Sequence, residues 1–242
     1  MRAVRNPGRT VGLWYFSLVL VGPLTLLYIP NKLFVHGDAA ATAANIASHQ
    51  LLFKIGMLAD VVGSMLLIFV VLAFYRLFKD VDQYWAVFLV ITGGIMPAVL
   101  QLVNFVNSAG ALTVAQGPGF LGALDKAQRD ALVMLFVQLH EHQITAAEIL
   151  WGAWLFPMGI LTYKSGFLPR FIGLWLIING IAYVVMCVTR VLAPDLADKL
   201  FVYFQPALFG ELVMMLWLLI KGAFPVPATM GYIRGIDSTA SP

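Results

Sequence analysis

Six stretches of this chain are long and apolar enough to cross a lipid bilayer: Val11–Ile29, Leu51–Tyr75, Trp85–Val106, Ala131–Tyr163, Phe167–Leu192 and Leu200–Ile220. A crossing takes about 20 helical residues for a hydrocarbon core about 30 Å thick. Inside lipid the backbone must satisfy its own polar groups, so only helices and closed barrels span. Barrel strands would alternate apolar and polar side chains, and these stretches do not. Composition agrees: of 242 residues, 61% are hydrophobic and 11% charged, with a mean hydropathy of +0.88. Soluble domains carry about a quarter charged residues to cover their outside. The expected fold is all-α, a polytopic membrane protein with six transmembrane helices in one compact bundle over residues 1–222. The Pro/Ser/Thr-rich stretch 223–242 reads as a flexible cytoplasmic tail.

A net charge of +3 and a sequence pI near 9.0 could signal nucleic acid, but the charges cluster at segment ends, where they mark topology. With the N-terminus inside, the cytoplasmic face holds nine basic residues: Arg2, Arg5, Arg9, Arg76, Lys79, Lys164, Arg170, Lys221 and Arg234. The outer face holds six: Lys32, Lys54, Lys126, Arg129, Arg190 and Lys199. The positive-inside rule therefore favours an N-in/C-in orientation. No nucleic-acid partner is expected; the lipid bilayer is. The first apolar stretch is too long for an ordinary signal peptide and is kept as a helix. The one cysteine, Cys187, cannot staple the chain to itself.

Helix packing is also written in the sequence. Gly56 and Gly63, Gly152 and Gly159, and Gly173 and Gly180 are each seven residues apart, which returns a helix to within about 20° of its starting face. Small residues on one face let helices approach closely in lipid. Pro97 predicts a kink in the third span, because proline removes a backbone hydrogen bond. Two outer loops are longer than the rest. In the first, Asp38 is placed to cap a short alanine-rich helix. The second, 108–130, reads as flexible and then helical from about Leu121. In "YKSGFLPR", Gly166 turns the chain and Pro169 starts the fifth helix.

Several of these motifs together resemble a known family. "GDAAATAANI", a helix holding Asp60, "LH" at Leu139–His140, "WGAWLFPMGILTYKSGFLPRFIG" and "FGELVMMLWLLIKG" look like a bacterial family of six-helix membrane proteins. It is known only as a domain of unknown function, number four-three-eight-six. The likeness runs from about Thr10 to Gly222, and "YKSGFLPR" is its most specific part. It implies the six-span architecture and brings no activity, ligand or catalytic residue; the expected location is the bacterial cytoplasmic (inner) membrane. Asp38, Asn45, Asp60, His140, Trp154, Pro157, Lys164–Arg170 and Glu211 match its pattern. Glu141 and His142 depart from it, and at Glu148 the family has an uncharged polar residue.

The polar residues inside the spans are the functional candidates. At about 1.5 Å per residue, Glu148 and Asp60 lie about 24 Å above the inner charges and Glu211 about 15 Å, near the midplane. His140, Glu141 and His142 fall beyond about 33 Å, at the outer waterline. Intramembrane ionisable groups usually face the bundle interior and pair there. The expectation is an outward-facing polar pocket lined by Asp60, Asn104, His140 and Glu148, with Arg190 as counter-charge and Glu211 deeper. It would take a small molecule, ion or lipid, or the protein would serve as an accessory subunit or homo-oligomer. The plainer reading is interhelical contact alone. The alternatives are a membrane-embedded hydrolase, metal-assisted or not, and a small transporter. "HEHQI" fails the zinc pattern H-E-x-x-H, since Ile144 stands four after His140; His140, Asp60 and Glu148 are the weak metal candidates, and no cofactor is expected. Lys164 and Arg170 could hold an anionic lipid headgroup besides marking topology.

Overall fold

A computed structural model describes residues 6–224. Among them there is no strand, and six helices are long and apolar enough to span: Pro7–Leu33, Gln50–Phe78, Gln83–Gln116, Lys126–Lys164, Arg170–Leu192 and, within Pro194–Ile220, Lys199–Ile220. They are called the first to sixth spans below. The chain is a multi-pass membrane protein. Most of the stretch read as a tail, residues 225–242, lies outside the described residues.

Each span packs on its neighbours in sequence, and the sixth returns to the first. The result is a closed ring of six antiparallel helices. Glycine sets its tightest seams. A Cβ built on Gly152 would lie 2.7 Å from the Gly180 carbonyl oxygen, and one on Gly159 would lie 2.7 Å from that of Gly173. The two seven-residue pairs therefore face each other across the fourth and fifth spans. Lipid offers no hydrophobic drive to bring helices together, so contact has to come from close packing of this kind. The ring closes between Gly8 and Gly12 of the first span and residues Leu218–Ala223, with Gly8 N–H donating to the Ala223 carbonyl at 3.1 Å. Asn6 completes the seam: its Oδ1 accepts from the backbone N–H of Arg9 and of Ala223, both at 3.1 Å.

Proline shapes the walls. Pro97 follows a wide π-turn at Ile91–Ile95, where the Met96 N–H reaches back five residues to the Ile91 carbonyl. A proline ring crowds the carbonyl four residues earlier and donates nothing, and the widened turn absorbs both effects. The same device recurs at Leu24–Tyr28, just before Pro30 in the first span. In the fourth span Pro157 is accommodated without a break in 39 residues of helix.

That span is about 58 Å long, longer than a bilayer core, and its Lys126 end projects on the side opposite Pro7 and Ile220, called the outer end below. The short helix Ala39–Ser48, capped by Asp38 accepting from the Ala41 N–H at 2.8 Å, packs on its projecting end. The helix begins at Lys126 rather than near Leu121, because Asp125 and Gln128 form a reciprocal capping box there. Between the fourth and fifth spans, Gly166 turns at φ +70° and the next helix starts at Arg170 behind Pro169.

Two hydrophobic cores fill the ends of the ring. The one nearer Pro7 and Ile220, called the inner core below, is built on Tyr15, Phe74, Phe78, Trp154, Met158 and Leu218. The outer one includes Ile29, Leu33, Ile46, Phe53, Leu112 and Val137. The layer between them is polar.

Glycine packing gives a direct test. Gly173→Ala would press a methyl group against the Gly159 oxygen and the Tyr163 nitrogen, both backbone atoms within 2.8 Å. It should cost about 1–3 kcal/mol, read as a lower midpoint in thermal unfolding of the purified protein. Gly22→Ala meets nothing within 4 Å and should leave the midpoint unchanged.

Candidate functional site

The polar layer surrounds a cavity of about 300 Å³ to which all six spans contribute. On the fourth span, Gln143, Ala147, Trp151 and Trp154 share the inward face at spacings of four, four and three residues. Opposite them stand Thr25, Asp60, Ser64 and Gln101. Tyr15, Tyr183 and Glu211 form the deep end. Leu26 lines the cavity and is also 43% exposed on the outside of the bundle. Leu26 thus forms part of the wall within the wide turn of the first span.

At the deep end the Tyr15 hydroxyl donates to Glu211 Oε2 at 2.6 Å. The Tyr183 hydroxyl and the Asn179 amide face the same carboxyl. Tyr15 is anchored edge-on against Phe74 and Trp154, so the carboxyl is fixed from a rigid part of the inner core. Asn179 also donates to the Leu208 carbonyl at 3.5 Å, and its Oδ1 has no hydrogen-bond partner among the described residues.

Asp60 stands at the junction of two spaces. Together with Thr25 it lines both the large cavity and a smaller one of about 20 Å³, whose other polar walls are Ser108 and His140. That volume holds about one water, and four polar groups are enough to bind it. His140 is buried at 9% exposure, with Nδ1 3.2 Å from Ser108 Oγ and its backbone carbonyl accepting from Asn104 Nδ2 at 3.4 Å. This corrects the expected waterline position for His140. The short helix Ala39–Ser48 and the projecting ends of the third and fourth spans cover it with a second core. Glu141 and His142 do reach solvent, and Glu141 lies 3.8 Å from His36.

The sequence-derived candidates thus divide. Asp60 with Glu211, and Asp60 with His140, share cavities. Asn104 is buried and bonds to Asn107 and His140. Glu148 points away from both cavities into the seam between the fourth and fifth spans, where Arg190 Nη1 donates to its Oε1 at 2.6 Å. Its Oε2 has no partner among the described residues. Nor does any group of three His, Cys, Asp or Glu side chains among the described residues come close enough to share a metal ion. At the inner end Lys164 donates to Asp82 at 3.0 Å, and this ammonium holds the Asp82 carboxyl below its ordinary range. Arg170 lies over the Tyr163 ring, 5.5 Å from its centre. Lys164 and Arg170 are therefore each engaged with a protein group.

Tyr15, Tyr183, Gln101, Gln143 and Trp151 were not read as site residues from the sequence. For Gln143, Ala147, Trp151 and Trp154 a signal existed in their shared helix face; for Tyr15 and Tyr183 nothing local distinguished them from ordinary membrane aromatics.

The ion pair of Glu148 carries a testable consequence. Its carboxyl side chain is 6% exposed, whereas Arg190 is 36% exposed, so losing the arginine leaves a buried charge alone. Arg190→Ala should destabilise the protein by about 1–3 kcal/mol, and Glu148→Gln combined with Arg190→Gln should recover most of the loss. Thermal unfolding of the three proteins checks it.

Three comparisons with known proteins complete the description. Residues 10–222 match the domain of unknown function DUF4386. An uncharacterized protein of Archaeoglobus fulgidus is 31% identical over 74 residues, covering 31% of this chain and 43% of that protein. The similarity thus spans less than half of that relative's length. No solved structure matches. With its six spans covered from Thr10 to Gly222, the chain belongs to the DUF4386 family.

Proposed function

We propose that this protein binds a small amphiphilic molecule inside the bilayer, without performing chemistry on it. It would do so in a bacterial cytoplasmic membrane, with both termini on the cytoplasmic side as the nine-to-six distribution of basic residues favours. The observation that carries the reading is the cavity: about 300 Å³, walled by six helices, mostly apolar, with a few convergent polar groups. Small-molecule sites have that character and start at about that volume. The cavity lies among six membrane-spanning helices, which suits a ligand that partitions into the membrane. A cavity of this size forgoes packing contacts that a bound molecule would restore.

The hydrolytic alternative draws on one contact, Ser108 Oγ beside His140 Nδ1 with Asp60 in the same small cavity. That space takes a water but no substrate, and Ser108 lies inside a helix whose backbone N–H groups are already used within it.

The binding reading requires that water and small solutes reach the cavity wall. In a Cys187→Ala background, the thiol of Ala147→Cys should react with N-ethylmaleimide, since thiolate forms only where water reaches. Val70→Cys, at a position with 0% exposure, is the buried control and should stay inert. Equal inertness at the two positions would overturn the reading.

A further inference from the structure

We propose that the occupant of the central cavity carries a positive charge: an organic cation or protonated amine with an apolar body. This rests on the cavity being a binding site, and it adds the chemical class of the ligand. Both ionisable groups of acidic type that face the space, Asp60 and Glu211, are carboxyls, and there is no Lys, Arg or His among the described residues that line it. The nearest basic groups are committed elsewhere. Arg190 is paired with Glu148 in the neighbouring seam. The His140 ring faces the small cavity and bonds to Ser108.

The walls add a second, independent feature. Tyr15, Trp151, Trp154 and Tyr183 contribute aromatic surface to the same space. Aromatic rings next to carboxylates attract cations through their electron-rich faces, most of all when water is excluded. The hydroxyl of Tyr15 donates to Glu211 Oε2, so that carboxyl is supported as an acceptor from below while the cavity lies above it. An anionic guest would face two carboxyls with no counter-charge. A neutral guest would leave them to take up protons, as desolvated carboxyls without a counter-charge do. A cation answers both carboxyls in their charged form, and the membrane setting favours cations that carry enough apolar surface to enter the bilayer.

The test uses the Ala147→Cys, Cys187→Ala protein in neutral-lipid nanodiscs, so that lipid charge does not bias the reagents. Its thiol is labelled with the cationic trimethylammonium-ethyl methanethiosulfonate or the anionic sulfonatoethyl reagent, and each rate is divided by that reagent's rate with a free thiol in solution. The expected normalised preference for the cation is about tenfold. Glu211→Gln and Asp60→Asn, each added separately, should shrink it severalfold. A normalised ratio of one, or a preference that neither substitution changes, would overturn the cation assignment. Failure of the neutral N-ethylmaleimide to react would overturn the cavity reading itself, and so the two failures are told apart.

Discussion

The close approach of the fourth and fifth spans is the contact on which the rest of the molecule depends. Lipid tails are as apolar as leucine, so helices in a bilayer gain little from burying leucine against leucine. Four glycines solve this by letting backbone meet backbone, each would-be Cβ within 3 Å of a carbonyl oxygen on the other span. That seam fixes the two helices, and Gly8 and Gly12 fix the closing seam between the first and sixth. Once both are set, the remaining spans complete a ring, and the ring's centre must be filled or left open. Aromatic and aliphatic cores fill its two ends. The middle stays open and polar.

The position of that open layer explains the arrangement of charges. Glu148 and Arg190 neutralise each other in a helix seam, where a buried carboxyl needs its partner. Asp60 and Glu211 have no basic partner among the described residues and face the cavity instead. The difference separates a structural pair from a recognition surface. Asp60 also joins the cavity to a water-sized chamber shared with His140, which makes it the link between the membrane interior and the outer core.

How much of this was written in the sequence follows from what each signal measures. Hydropathy reports which stretches sit in lipid, and all six spans were legible, as were the paired glycines and the bend at Pro97. Counting residues reports position along a helix, and Asp60 and His140 do line one small cavity. Rotation about the helix axis is another matter. Ala147 faces the cavity and Glu148 faces the fifth span, although they are adjacent. A helix apolar on nearly every side gives no clue to which way it turns. His140 was assigned to the waterline because the extension of the third and fourth spans beyond the membrane, and the helix that covers them, are tertiary facts. The wide turn at Leu24–Tyr28, which carries Leu26 into the cavity wall, depends on how Pro30 is accommodated and could not be read from the residue alone.

The most direct test of a cation-selective cavity is calorimetric titration of the protein in neutral nanodiscs with phenyltrimethylammonium, set against its uncharged carbon isostere tert-butylbenzene. Saturable one-to-one binding of the cation is predicted, with affinity at least about tenfold above that of the isostere and reduced to the isostere's level by Glu211→Gln. Equal affinity for the two compounds, or cation binding indifferent to Glu211→Gln, would contradict it.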